Sequence, residues 1–282
     1  MMDGNVRLRL AMAQMRTEWG RRKRNLGHAA EMIAEAAAQR CSVVLLPECL
    51  DIGWTHPSAR RLAEPIPGPS SDALARAARK HGVWAVAGLT ERDGRRIYNS
   101  AVLISPEGDI ILRHRKINEL DIAHSCYSIG DRLGVAHTPL GTVGVNICAD
   151  NWGDTLVLAY ALGRMGARCI LSPCAWAMPA DHDNEKEPYG GPWREAYARV
   201  ARAFDMPVVG VSNVGWLLGG PWKGRKCIGN SLAVGRDGKV LLMAPYGEDA
   251  EVLVPVELEL TAMPAKGTAI TGWLRSRGYD GP

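Results

Sequence analysis

No apolar run in this 282-residue chain is long enough to cross a bilayer, and Arg7 and Arg9 interrupt the N-terminus before the apolar core of a secretory leader can form. No CxxC pair and no HExxH motif occur, and the seven histidines are scattered, so a metal site has no support in the sequence. An even set of cysteines is missing too. The seven, Cys41, Cys49, Cys126, Cys148, Cys169, Cys174 and Cys227, are odd in number and several fall in strand-like apolar runs, which argues against a disulfide framework. Reduced thiols and a cytoplasmic location are expected. No charge of one sign dominates: the formal net charge is +4 and the arginines are dispersed rather than striped, which gives nucleic-acid or membrane binding little basis. No Pro/Ser-rich linker or charge run divides the chain, so residues 1–282 are expected to form one domain.

What the chain does contain is a repeating order of buried strands and amphipathic helices. Val6 to Met15 reads as a strand entering a core, and Leu26, Ala29, Ala30, Ile33 and Ala37 form a helical stripe. The near-continuous apolar run Cys41 to Leu46 predicts a strand covered on both faces. Asp72 is placed to cap a helix with Leu74, Ala77 and Ala78 inward; Val83 to Leu89 is the next strand, and Glu91 to Arg95 a hairpin turn. A second hairpin, Tyr98 to Ile104 and Ile110 to Leu112, delivers His114-Arg115-Lys116-Ile117 at its far end. The second half repeats the scheme, with a helix at Leu156 to Met165, strands at Arg168 to Ser172 and Pro207 to Val211, and an amphipathic helix marked by Trp193, Tyr197, Val200 and Phe204. A hairpin over Gly229 to Leu242 and an alternating strand, Val252 to Leu258, follow. The charged, Gly- and Pro-containing segment Asp181 to Gly191 reads as a surface loop able to cover a cleft.

Two mixed sheets packed face to face with helices outside account for this pattern. Three strand ends then stand out. Glu48 follows the Cys41 to Leu46 run, at the C-terminal edge where open α/β sheets bind ligands. Cys148 ends the short strand beginning at Gly141 and precedes a helical pattern near Thr155, which places a thiol on a rigid element close to backbone N–H groups. Lys116 gains meaning from these two.

The segments Leu45-Leu46-Pro47-Glu48, His114-Arg115-Lys116-Ile117 and Gly144-Val145-Asn146-Ile147-Cys148-Ala149-Asp150, in that order, resemble the nitrilase, or carbon–nitrogen hydrolase, superfamily. Tyr98-Asn99-Ser100-Ala101, the Pro106-Glu107-Gly108 turn and Gly229-Asn230-Ser231 agree with it, and the resemblance runs to about Leu258. It implies a four-layer αββα sandwich, with Glu48 as general base, Lys116 stabilising the oxyanion and Cys148 as nucleophile. The chemistry is self-consistent: an ammonium favours a thiolate, a carboxylate can accept the thiol proton and later activate water, and the Ala149 N–H is placed to join Lys116 at the oxyanion.

Two departures bear on substrate. Many family members carry a second glutamate shortly before a Pro-Gly-Asp-like turn; here Ile129-Gly130-Asp131 is preceded by His124-Ser125-Cys126-Tyr127-Ser128. Glu119 is the candidate second acid, with an ordinary surface role as its rival, and Asp121 and His124 stand nearby. After Cys148, Asp150-Asn151-Trp152-Gly153-Asp154 supplies acids and no arginine, so a substrate carboxylate lacks a bidentate partner unless Arg132 or Arg194 reaches in. Asn151, Trp152 and Trp176 follow strand ends on the edge of Cys148, and at least two of them are expected to line the pocket. The expected reaction is hydrolysis of a small, uncharged or cationic primary amide, with water as acceptor and no cofactor, by a homodimer or larger oligomer. Nitrile hydrolysis, N-carbamoyl amide hydrolysis and a catalytically silent binding role are the alternatives. A serine nucleophile at Ser212 is disfavoured, because Gly215 comes one residue late for GxSxG.

Overall fold

The computed structural model describes residues 6–261 and 270–278. In the strand Val6–Gln14, Leu8, Leu10 and Met12 enter one hydrophobic core while Ala11 and Ala13 enter another, as the two-residue period of a strand requires when both faces are covered. Val43 and Leu45 against Val44 and Leu46 divide in the same way. Each such strand is therefore an internal layer.

The first sheet runs in the order Val252–Leu260, Val6–Gln14, Val43–Leu45, Trp84–Asp93, Arg96–Ile104, Ile110–Arg115. Val6–Gln14 pairs antiparallel with Val252–Leu260 and parallel with Val43–Leu45, so the chain's last long strand closes beside its first. The second sheet has the order Val240–Met243, Leu232–Val234, Val208–Ser212, Cys169–Cys174, Gly141–Val145, Val135–Thr138, in which Gly141–Val145, Cys169–Cys174 and Val208–Ser212 run parallel. Leu10, Leu45 and Val86 from the first sheet share a core with Val145, Leu171 and Val209 from the second. Helices Arg22–Ala38 and Pro69–His81 cover the outside of the first sheet through Ile33 and Leu74; Val157–Arg164 and Gly191–Phe204 cover the second through Leu162 and Tyr197. The result is the four-layer αββα sandwich of two mixed sheets.

Three local expectations are corrected. The helix Arg22–Ala38 buries Asn25, Ala29, Met32, Ile33 and Ala36, with Leu26, Ala30 and Ala37 only at its margin. Asn25 is inward because its amide donates to the Glu18 and Asp51 carbonyls (2.7 and 2.9 Å) while its oxygen accepts from the Glu18 N–H at 2.9 Å, a complete set of partners for a buried amide. Asp72 does not cap the following helix. That helix opens at Pro69, where the Ser71 hydroxyl satisfies the Gly68 N–H at 2.9 Å, and Asp72 sits in the first turn. After Cys148 the chain makes two short 3-10 turns, Cys148–Asn151 and Gly153–Leu156, and becomes α-helical only at Val157. Thr155 is the reason: its hydroxyl accepts from the Trp152 N–H (3.0 Å) and donates to the Ala149 carbonyl (2.7 Å), tightening both turns. Among the described residues no helix is long and apolar enough to cross a membrane.

Candidate active site

Glu48 stands just beyond the strand Val43–Leu45, and its N–H donates to the Cys174 carbonyl at 3.1 Å, a backbone bond that ties the two sheets together where their strands end. The approach is so close that a Cβ on Gly88, in the neighbouring strand, would lie 2.5 Å from the Glu48 Cα. Lys116 follows directly on the strand Ile110–Arg115 and is anchored through its own backbone, its N–H donating to the Asn99 carbonyl and its carbonyl accepting from the Gly130 N–H, both at 2.8 Å. The two side chains meet: Lys116 Nζ donates to Glu48 Oε1 at 2.7 Å, and Asn99 Nδ2 donates to the same oxygen at 2.6 Å. Glu48 is 1% and Lys116 2% exposed. Burial pulls the lysine's pKa down, but its acidic neighbours, Glu48 foremost, more than offset it and hold Lys116 well above the usual lysine range.

The basic run around Lys116 is split by the fold. Arg115 turns to Glu91 and Asp93, while His114 Nε2 lies 2.8 Å from Asp150 Oδ2, so only Lys116 enters the site. Asp150 is fully buried and fully used: Oδ1 accepts from the N–H groups of Ile117 (3.2 Å) and Asn118 (2.8 Å), and Oδ2 also accepts from the Ile147 N–H at 3.0 Å. Burial would raise its carboxyl, but His114 and these N–H donors pull it below the ordinary aspartate range. Asp150 therefore clamps the turn that carries Cys148 to the loop that carries Lys116, and is not a charge facing the pocket. The side chain of Asp154 lies outside the described residues.

Cys148 adopts a left-handed backbone conformation, φ 44°, which costs a non-glycine residue about 1–3 kcal/mol and persists because its N–H donates to Ser172 Oγ at 3.0 Å and the Asp150 clamp follows it. Lys116 favours the Cys148 thiolate, as expected of an ammonium, but it is outweighed. The adjoining Cys174 thiol, burial and the Glu48 charge together hold the Cys148 thiol well above the ordinary cysteine range, and Lys116 offsets them only in part.

Glu48, Lys116 and Cys148 share a cavity of about 220 Å³. Its other walls are aromatic. Trp54 and Trp222, edge to face at 5.0 Å, form one group; Trp152, Trp176, Trp193 and Tyr189 form another, with Trp193 packed 4.7 Å from Trp152 and 5.1 Å from Trp176. Tyr189, from the charged loop, accepts a hydrogen bond from Trp193 Nε1 at 2.7 Å. Ala149, Trp152 and Trp176 line the cavity; Asn151 does not. Its amide exchanges hydrogen bonds with Asn146 (2.6 and 2.8 Å) and donates to Ser172 Oγ at 3.2 Å, turning inward beside the Cys148 turn. Neither Arg132 nor Arg194 reaches the cavity, and among the described residues no group of three His, Cys, Asp or Glu side chains is placed to hold a metal ion. Sequence spacing missed Trp54, Trp193, Trp222 and Tyr189 because they come from separate segments brought together by the fold. Asn99 was within reach, since it lies in the Tyr98-Asn99-Ser100-Ala101 stretch that leads to Lys116.

The sequence profile of the carbon–nitrogen hydrolase family matches residues 9–263. The chain belongs to that family. It is 31% identical over 263 residues to a nitrilase of Pyrococcus abyssi, covering 90% of this chain and 91% of that one. It is 35% identical over 164 residues to an omega-amidase of Danio rerio, a match covering 55% of this chain and 58% of the relative, so the likeness spans somewhat more than half of that protein's length. The fold superposes on a carbon–nitrogen hydrolase structure from Helicobacter pylori with a TM-score of 0.80 at 23% identity, over 89% of both chains.

Within this carbon–nitrogen hydrolase, Glu119 is no surface residue. It is buried, its Oε2 lies 3.9 Å from Lys116 Nζ, and neither of its oxygens has a hydrogen-bond partner. Burial pushes its carboxyl up to about 8, with Glu48 and Asp150 adding to the rise and Lys116 opposing it, so the group is neutral at pH 7. His124 is exposed. A carboxyl that stays protonated in the fold but ionises near 4.5 when unfolded lowers stability as pH rises between those values. Relative to Glu119→Gln, the wild-type protein is therefore expected to lose stability from about pH 4.5 to about 8 and then to run parallel. Thermal melts of both proteins from pH 5 to 9 check this, and a constant difference throughout would mean that Glu119 is ionised in the fold.

Proposed function

We propose that this carbon–nitrogen hydrolase cleaves a small, uncharged primary amide to a carboxylic acid and ammonia, with Cys148 as nucleophile, Glu48 as general base and Lys116 as the oxyanion's cation. The observation that carries the reading is the buried Glu48–Lys116 contact of 2.7 Å in the same cavity as Cys148. Because the thiol is protonated at rest, Glu48 takes its proton as sulfur attacks the amide carbon, and the carbonyl oxygen gains negative charge toward Lys116 Nζ and the Ala149 N–H. The tetrahedral adduct collapses as Glu48 returns the proton to the leaving nitrogen, releasing ammonia and a thioester. Glu48 then takes a proton from water, hydroxide adds to the thioester, and sulfur leaves as the thiol on recovering that proton.

The relatives' names, omega-amidase and nitrilase, fit the same thioester chemistry. The cationic form of the substrate loses part of its support, because Asp150, one of the two acids that favoured it, is committed to His114. All seven cysteines are free and six are buried, which fits the reducing cytoplasm; the exposed Val240, Leu241 and Met243 on an outer strand fit self-association as a homodimer or larger assembly. Ammonia release from propionamide, propionitrile and N-carbamoyl-β-alanine tests the reaction class. Propionamide is expected to be the fastest of the three, and faster turnover of the nitrile or the N-carbamoyl acid would replace the amidase reading.

A further inference from the structure

We infer that the acyl side of this site is built for one flat, apolar ring on a short linker, so that the amide it accepts is an arylalkyl carboxamide. The inference rests on the amidase reading for the reaction and on the cavity walls for the acyl group.

Charge decides first what the cavity refuses. Among the described residues its only charged lining groups, Glu48 and Lys116, neutralise each other at 2.7 Å, and the rest of the lining is tryptophan, tyrosine, alanine and one leucine beside the Cys148 thiol. A substrate carboxylate would be desolvated with no arginine to receive it; Arg132 lines a separate surface groove with Arg95 and Arg113. Among the described residues its one available cation in the cavity would be Lys116, which is already paired and is needed at the oxyanion. A substrate ammonium could be drawn to indole faces, but Lys116 Nζ already stands 5.9 Å from the Trp54 ring centroid and would repel a second cation there.

Shape then decides what the cavity takes. Apolar cavities of about 150 Å³ hold a benzene ring, so about 220 Å³ admits one ring with a methylene or two and the carboxamide. The walls are preassembled: Trp193 is wedged between Trp152 and Trp176 and held by its bond to Tyr189, and Trp54 is braced edge-on by Trp222. Rings fixed by one another lose little freedom when a flat ligand enters, which favours an aromatic guest over a flexible chain of equal area.

Binding to the Cys148→Ala protein and turnover by the wild type test this with 3-phenylpropionamide, propionamide, succinamate and β-alaninamide. Calorimetry is expected to show 3-phenylpropionamide binding at least about tenfold tighter than propionamide, from burial of the ring, with the two charged amides weaker than propionamide. In the wild type, kcat/KM should follow the same order. Trp152→Ala, which removes an indole that is 43% exposed and so of limited consequence for folding, should lower the phenylpropionamide-to-propionamide ratio. Undetectable binding of 3-phenylpropionamide overturns the inference, as does succinamate binding best, the result expected if the buried, unpartnered Trp54 and Trp176 N–H groups held a carboxylate. Should the binding order hold while no amide yields ammonia, the amidase reading falls and the acyl-group inference stands. Ammonia from propionamide with no gain for the ring overturns the acyl-group inference and leaves the amidase reading in place.

Discussion

Cys148→Ala is expected to abolish ammonia release, a loss of about five orders of magnitude or more, while leaving the thermal midpoint nearly unchanged. Under the proposed mechanism the size follows from removing the atom that would form the covalent intermediate, since members of a catalytic set act as a unit and the loss of the nucleophile would forfeit the whole covalent route. No other thiol can take its place. Cys49 adjoins Glu48 in sequence but does not line the cavity; its sulfur faces Asn99 Oδ1 (3.4 Å) and the Tyr127 hydroxyl (3.6 Å), and burial with the Glu48 and Asp51 charges pushes it well above the ordinary thiol range. Cys174 is fully buried behind Cys148, directed at the Ser172 carbonyl. A chloroacetamide probe small enough for the cavity should therefore modify Cys148 in the wild type, with adducts mapped by mass spectrometry. Cys126, half-buried and outside the cavity, serves as the internal control and should label equally in both proteins. A label that moves to Cys49 or Cys174 with activity retained would refute the assignment.

Lys116→Met is expected to act twice. Loss of an oxyanion donor costs roughly 100- to 1,000-fold in kcat. Independently, Glu48 is left at 1% exposure with Asn99 as its remaining side-chain partner, and breaking a buried pair by removing one charge costs about 3–5 kcal/mol. For a chain of this size that is a fall of roughly 6–20 °C in thermal midpoint. The double variant Glu48→Gln/Lys116→Met separates the effects, because removing both charges relieves the burial penalty without restoring chemistry. It should melt above Lys116→Met and remain inactive. If Lys116→Met melts like the wild type, Glu48 and Lys116 do not form a buried ion pair.

What local spacing can carry was legible in the sequence. The two-residue alternation of Val6–Gln14 and the unbroken apolar run ending at Leu46 announce strands covered on both sides, because side-chain direction along a strand is a property of neighbouring residues alone. The same reasoning placed Glu48 and Cys148 at strand ends and Lys116 beyond a hairpin, where the fold brings Glu48 and Lys116 into contact over 68 positions of chain. Local spacing cannot state how a charged side chain is solvated. Asp150 and Glu119 are both acids close in sequence to the site, yet one is ionised against His114 and three backbone N–H donors while the other is neutral without a hydrogen bond. Their difference is made by whether the surrounding segments aim N–H donors at the carboxylate, as those around Asp150 do, or leave it buried without them, as at Glu119. The aromatic wall is of the same kind: Trp54 in one turn, Trp193 in the helix Gly191–Phe204 and Trp222 in another turn share one cavity only because the fold brings these separate segments together. The main strands and helices, and the places of Glu48, Lys116 and Cys148 at or beyond their ends, were thus legible in the sequence itself. The charge state of each group, the inward turn of Asn151 and the shape of the acyl pocket were decided by tertiary structure, because desolvation and packing depend on everything that surrounds a side chain and local spacing specifies only its neighbours along the chain.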